Sequence, residues 1–226
     1  MKKLALALVA STVALSAANA NIATGFYLGA TTGFGATTAK SSGATAGTGA
    51  SVDGSTKIGD TAFNIGLIGG YGWVTGCMYY GGEIGYSFEN SKVTDTLRNT
   101  PGLGSQQLKR NGYFNAAFRG GYLFTPNTMF YVRLAAHWGK WSLNDSLNFD
   151  FNNANPASGS KNRLTFAPGL GLETAIHKNV YLRVEYTYEF GSNVRATSGN
   201  AGFNQGSASA GSIRTQSGKV GLAYKF

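Results

Sequence analysis

The stretch Lys219-Val220-Gly221-Leu222-Ala223-Tyr224-Lys225-Phe226 closes the chain, and its reading decides the fold. Successive side chains of an extended strand point to opposite faces. Val220, Leu222, Tyr224 and Phe226 therefore share one face, and Lys219, Gly221, Ala223 and Lys225 share the other. Termini in water usually fray and carry polar residues. A last residue that is a bulky aromatic, with an apolar residue at every second position before it, suits a strand with an apolar medium on one side only.

Seven earlier stretches repeat the pattern. The first sets Phe26, Leu28, Ala30, Thr32 and Phe34 against Tyr27, Gly29, Thr31 and Gly33. The second sets Phe63, Ile65, Leu67, Tyr71 and Trp73 against Asn64, Gly66, Gly70 and Gly72. The third sets Tyr80, Ile84, Tyr86 and Phe88 against Tyr79, Gly81, Glu83, Gly85 and Ser87. The fourth opposes Phe114, Phe118, Tyr122 and Phe124 to Asn115, Ala117, Arg119 and Gly121. The fifth opposes Phe130, Val132, Leu134 and Trp138 to Tyr131, Arg133 and His137. The sixth opposes Leu164, Phe166, Leu170 and Leu172 to Arg163, Thr165, Gly169, Gly171 and Glu173. The seventh opposes Val180, Leu182, Val184, Tyr186, Tyr188 and Phe190 to Tyr181, Arg183, Glu185, Thr187 and Glu189. Each run is close to the 9–11 residues that a tilted strand needs to cross a bilayer.

The connections alternate in length. Roughly Ala36–Asp60, Asn90–Lys109, Asn144–Lys161 and Ser192–Gly211 read as long loops rich in small polar residues, and the tract 41–56 is low in complexity. Thr75–Met78, Thr125–Asn127 and His177–Asn179 read as tight turns. Long loops on one rim and short turns on the other describe an antiparallel up-and-down barrel in a membrane, long loops outward. Residues 1–20 read as a secretory signal peptide, with Lys2 and Lys3, an apolar run from Leu4 to Leu15 and the small-residue site Ala18-Asn19-Ala20. One barrel domain over residues 21–226 is then expected, its formal charge lowered from +9 to about +7 by loss of the two lysines.

Alternation also fits a soluble eight-stranded barrel with its apolar face inside. Volume separates the two: an eight-stranded barrel encloses barely enough room for a filling of side chains, and roughly 40 apolar residues lie on one face. The other face reads as Gly, Ala, Ser and Thr with a few long charged groups, which suits a narrow interior. The aromatics support this placement. Phe26, Trp73, Tyr80, Phe124, Phe130 and Phe226 mark the turn ends, and Phe34, Phe63, Phe88, Phe114, Trp138 and Phe190 the loop ends, as two interfacial girdles would.

The charges on the small face are Glu83, Arg119, Arg133, Glu173, Arg183, Glu185, Glu189 and Lys219. At mid-depth in lipid each cation would cost about 2–4 kcal/mol, which assigns them to the interior. There they are expected to pair, because an isolated buried charge is costly. Arg183 and Glu185 stand two apart on one strand, and Glu173 and Lys219, on the flanking strands, are expected in the same layer. The cluster reads as a structural plug or as a selectivity ring in a narrow pore.

Other chemistry finds little support. His137 is expected inside the barrel and His177 in a turn, and neither sits in a sequence pattern that places a serine beside it. Two lone histidines and one cysteine show no metal-ligand spacing, and no cofactor is implied. Cys77, the single cysteine, falls in a predicted turn and has no intramolecular disulfide partner. Lys and Arg are scattered singly, which argues against nucleic acid.

The runs Phe26-Tyr27-Leu28-Gly29, Phe63-Asn64-Ile65-Gly66, Arg119-Gly120-Gly121-Tyr122-Leu123-Phe124, Gly169-Leu170-Gly171-Leu172-Glu173 and the last strand resemble the small eight-stranded bacterial outer-membrane proteins. That family comprises OmpA-like transmembrane domains, OmpX/Ail-type surface proteins and opacity-type antigens. The resemblance implies an integral barrel in a Gram-negative outer membrane, among its lipids and lipopolysaccharide. It implies that Phe226, Tyr224, Leu222 and Val220 form the signal read by the barrel-assembly machinery. It also implies a structural, adhesive or surface-interaction role, with host or cell-surface ligands met by the long loops. A narrow porin for small solutes is the alternative, and a lipid-modifying enzyme the third class; the resemblance itself carries no activity.

Overall fold

Alternating residues that each bury one side chain and expose the next can satisfy their main-chain hydrogen bonds only by pairing with neighbours. Inside a bilayer that pairing must close on itself. The computed structural model describes residues 21–46, 56–95, 106–145, 157–191, 194–197 and 205–226. Its strands are β1 (Gly25–Ala46), β2 (Thr56–Thr75), β3 (Met78–Asp95), β4 (Gln106–Thr125), β5 (Thr128–Asp145), β6 (Ala157–His177), β7 (Val180–Phe190), β8 (Val194–Thr197) and β9 (Gln205–Lys225). Neighbours in sequence pair antiparallel from β1 to β7; β9 pairs with both β7 and β1 and closes the ring. β8 continues the β7 ladder against β9 in one register, Phe190 standing opposite Arg214 and Val194 opposite Ala210. β7 and β8 are thus one stave in two pieces, and the molecule is an eight-stranded up-and-down barrel.

The strands outrun the expected 9–11 residues: β1 has 22, β6 and β9 have 21, and only β7 keeps to 11. The predicted loops Ala36–Asp60, Asn90–Lys109, Asn144–Lys161 and Ser192–Gly211 are accordingly shorter than expected, because paired strands occupy both flanks of each. The reason is cooperative. Once a hairpin is anchored in the wall, its two arms keep exchanging main-chain hydrogen bonds, and the Thr- and Ser-rich sequences are compatible with strand. The remainders, 47–55, 96–105, 146–156, 192–193 and 198–204, lie outside the described residues, as do residues 1–20, the expected signal peptide, and most of the low-complexity tract.

The opposite rim is built from tight turns. Thr75 pairs with Met78 around Gly76-Cys77, and Gly76 takes φ 59°, a left-handed value that glycine adopts without Cβ strain. Cys77 is exposed there. All twelve aromatics assigned to the two girdles point outward, from Tyr80 and Phe130 at 43% exposure to Phe226 at 71%.

The segment before β1 folds under the barrel at this same rim. Ile22 donates its main-chain N–H to the Pro126 carbonyl at 2.9 Å. Tyr181 donates its hydroxyl to the Asn21 carbonyl at 3.0 Å, Val74 N–H donates to the Thr24 hydroxyl at 2.9 Å, and Lys225 donates to the Ala23 carbonyl. Ile22 is thereby held, 4% exposed, in the barrel mouth.

Candidate functional site

The lumen is filled in three layers. At the turn end, inward residues of four strands, Tyr27, Tyr79, Tyr131 and Tyr181, pack with Ile22, Leu123 and Met129 into an apolar floor. Glycine makes room for the rings. A Cβ on Gly72 would meet the Tyr79 ring at 2.5 Å, and one on Gly171 the Tyr131 ring at 2.5 Å. The rings therefore lie against stretches of wall that carry no side chain. The small face is bulkier than its glycine content suggested.

Above the floor sits an ion-pair network. Arg183 reaches Glu83 at 2.6 Å and Glu173 at 2.9 Å. Arg119 reaches Glu173 at 2.7 Å and lies over the Tyr131 ring, 4.0 Å from its centroid. Arg133 stands 3.3 Å from Glu83 and 3.8 Å from Glu185, and donates to Asn115 at 2.7 Å. Tyr27 donates to Glu83 at 2.9 Å, and Tyr131 to Glu185 at 3.0 Å. Among Glu83, Arg133, Arg183, Glu185 and Lys219 lies a cavity of about 10 Å³, the room of a single water.

The third layer lies toward the long hairpins. Arg110 bonds Glu189 at 2.8 Å and Glu89 at 2.9 Å, its guanidinium held between the rings of Tyr113 and Trp141 at 4.5 and 4.6 Å. His137 stacks on Tyr113 and donates Nδ1–H to Glu189 at 3.1 Å. Thr165 gives its hydroxyl proton to the same carboxylate at 2.7 Å. That hydroxyl therefore serves the carboxylate and is not poised as a nucleophile on the imidazole.

The structure brings seven of the eight singled-out charges, Glu83, Arg119, Arg133, Glu173, Arg183, Glu185 and Lys219, to the middle of the lumen; Glu189 belongs to the layer beyond. The expected Arg183–Glu185 partnership is absent from the described contacts. Side chains two apart on one strand stand at different heights, so Arg183 turns across the barrel to Glu83 and sideways to Glu173. Lys219 donates to the Tyr113 hydroxyl at 2.9 Å. Sequence reasoning passed over Glu89 and Arg110. Glu89 simply continues the alternation of Glu83, Gly85 and Ser87 by one step. Arg110 carries no such signal, because a bulge between Arg110 and Tyr113 breaks the period.

The chain has five glutamates, all five in the lumen, among Arg110, Arg119, Arg133, Arg183 and Lys219, with the half-buried Arg163 on the same inner face. The fully buried charges of the lumen match five to five; Arg163 toward the long hairpins and Lys225 at the turn-end mouth are additional cations. Val220, Leu222, Tyr224 and Phe226 all face outward on β9, and Phe226 N–H donates to the Phe26 carbonyl at 2.9 Å across the closing seam.

A closed barrel with an apolar belt between two aromatic girdles and a charge-paired interior defines an integral outer-membrane protein. The chain belongs to the outer membrane protein beta-barrel domain family, whose model matches residues 5–226. No curated protein sequence matches it. Among solved structures, the outer membrane protein OprG from Pseudomonas aeruginosa is similar with a TM-score of 0.61 at 16% identity, covering 92% of this chain and 98% of that one. The outer membrane protease OmpT from Escherichia coli gives 0.50 at 10% identity, covering 91% and 99%. Neisserial surface protein A gives 0.45 at 13% identity, covering 89% and 97%. At such identities the likeness is one of fold. It includes a protease, and the described residues of this chain show no Ser-His-acid array.

Proposed function

We propose that this protein works as a sealed barrel, acting through its outward hairpins and its presence in the outer membrane, in a structural, adhesive or surface-interaction role. The observation that carries this reading is the filled lumen. A tyrosine floor stoppered by Ile22 lies under two layers of paired charge, with room for about one water between the ion pairs. Among the described residues, such a filling leaves a small solute little room to pass. Surface ligands would meet the tips of the four long hairpins. Single-channel recording of refolded protein in planar bilayers tests the proposal. The expected trace is the bilayer baseline; a steady open level in the parent protein would replace this reading with that of a narrow porin for small solutes.

Delivery to the membrane belongs to the same proposal. The outward set Val220, Leu222 and Tyr224 on β9 and Phe226 just beyond it would be the pattern that the assembly machinery reads. Deleting Phe226 is expected to lower the outer-membrane level of the protein several-fold, measured by immunoblot of fractionated membranes. Unchanged levels would remove Phe226 from the signal.

A further inference from the structure

We infer that the turn-end mouth of the barrel is a peptide-binding site. Residues 21–24 occupy it in cis, and an extended peptide bearing an aliphatic side chain can take their place from outside the bore. The way in which this strap is held carries the inference. Of its four residues only Ile22 is buried; Asn21, Ala23 and Thr24 are exposed. Three contacts run to the strap's main chain. Pro126 accepts the Ile22 N–H, Tyr181 donates to the Asn21 carbonyl, and Lys225 donates to the Ala23 carbonyl. Every main chain offers such groups whatever its sequence, so these contacts select an extended segment and ignore its side chains. Their partners stand on the β4–β5 turn, β7 and β9, so the held segment lies across the bore.

Selectivity resides in one pocket. The Ile22 side chain belongs to the cluster of Tyr27, Tyr79, Tyr131, Tyr181, Leu123 and Met129, which presents ring faces and aliphatic carbon to whatever enters the mouth. Main-chain hydrogen bonds for affinity and a side-chain pocket for choice are the two parts by which proteins hold extended peptides. An aliphatic side chain suits this pocket; a charged one would lose its water there without gaining a partner.

The cis occupant is held lightly enough to be displaced. Its hydrogen bonds replace bonds to water and are offset by the cost of ordering four residues. Burial of one isoleucine remains, which favours the seated strap by about ten- to a hundredfold. The mouth is then free for about one part in ten to a hundred of the time, a minor state that a ligand can select. The chain turns from the strap into β1 at Gly25, where φ is 153° and a Cβ would stand 2.8 Å from the Phe226 carbonyl. The strap thus swings on a residue free of side-chain hindrance. The ion-pair layers stay in place when it leaves, so the vacated mouth is a pocket and not a channel. Short turns mark the periplasmic rim of such barrels, so the peptide comes from the periplasm, and the inference rests on that orientation.

The test is a titration of the refolded chain in detergent micelles, followed by NMR. The probe is the synthetic peptide Asn-Ile-Ala-Thr-Gly, a copy of residues 21–25, with isotopically labelled isoleucine methyl groups. The variant N21G/I22G/A23G/T24G vacates the mouth, and Ile22→Gly alone serves if the fourfold change does not fold. Circular dichroism establishes that each variant is folded. Methyl groups seated among tyrosine rings resonate upfield, a signal that adsorption to the micelle does not produce. The vacated variant is expected to give this signal and to saturate with peptide. The parent, whose own strap competes, should bind the peptide about ten- to a hundredfold more weakly. A peptide with aspartate in place of isoleucine should not compete. Tyr181→Phe, made in the vacated variant, should weaken binding about three- to tenfold by removing one main-chain contact. The inference is overturned if a folded vacated variant gives no upfield signal, if the aspartate peptide competes equally, or if parent and vacated variant bind alike. Bilayer conductance is read separately, so failure here leaves the sealed-barrel reading to its own test.

Discussion

Glu83→Ala is expected to destabilise the folded barrel by about 3–5 kcal/mol, the range for removing one partner from a buried charge pair. Glu83, on β3, accepts from Tyr27 on β1 and binds Arg133 on β5 and Arg183 on β7. Removing its carboxylate leaves a cavity and an excess of guanidinium charge in a space nearly closed to water. Arg183 retains Glu173, and Arg133 retains the more distant Glu185, which keeps the loss within that range. Tyr27→Phe, which deletes a single hydrogen bond to the same carboxylate, should cost only about 1–3 kcal/mol. Urea unfolding in lipid vesicles measures both. A Glu83→Ala midpoint indistinguishable from that of the parent would mean that the arginines are satisfied without Glu83, by water or by Glu173 and Glu185.

Arg110→Ala is expected to cost a similar 3–5 kcal/mol and to act on the opposite half of the barrel. Its guanidinium bonds Glu89 and Glu189 at once and fills the space between Tyr113 and Trp141. Arg110→Lys should recover less than half of the loss. An ammonium has no planar fork to reach two carboxylates and no flat face to stack between two rings. The triple change R110M/E89Q/E189Q should recover more, since it removes the charges together and replaces guanidinium bulk with apolar volume. The same urea experiment decides. Full rescue by lysine would show that point charge alone matters at this position.

The sequence displayed the wall of the barrel more clearly than its contents. Along Val180–Phe190 every second residue faces lipid as read, because alternation between lipid and lumen is a local, period-two property. Contents depend on which side chains meet across the bore, and this is set by the stagger between strands. Arg183 illustrates the point: its neighbour Glu185 is close in sequence, but its partner Glu83 is a hundred residues away. Arg110 was hidden by a bulge, and Glu89 by ending the third strand one step early. The tyrosine floor was readable residue by residue, since Tyr27, Tyr79, Tyr131 and Tyr181 all stood on the inner face. Its meaning appears only once the register lays rings over glycines such as Gly72 and Gly171. Strand length was underestimated because membrane thickness limits the apolar run and sets no limit on the ladder beyond it.

The stopper at the turn end bears on the time course of folding. Lys225 touches Ala23 across a separation of 202 residues, and Phe226 bonds to Phe26 beside it. The first and last segments of the described chain thus meet at one corner, where the seam of the wall runs beside the floor of the bore. Contacts so distant in sequence are entropically the most demanding to form and slow a folding reaction accordingly. A chain still lacking its final strand would hold an unzipped edge and a stopper fastened on fewer sides at the same moment. Its floor tyrosines would already stand on β1, β3, β5 and β7, but the segment that carries the Ile22 stopper would lack its bond to Lys225 until the closing strand was in place.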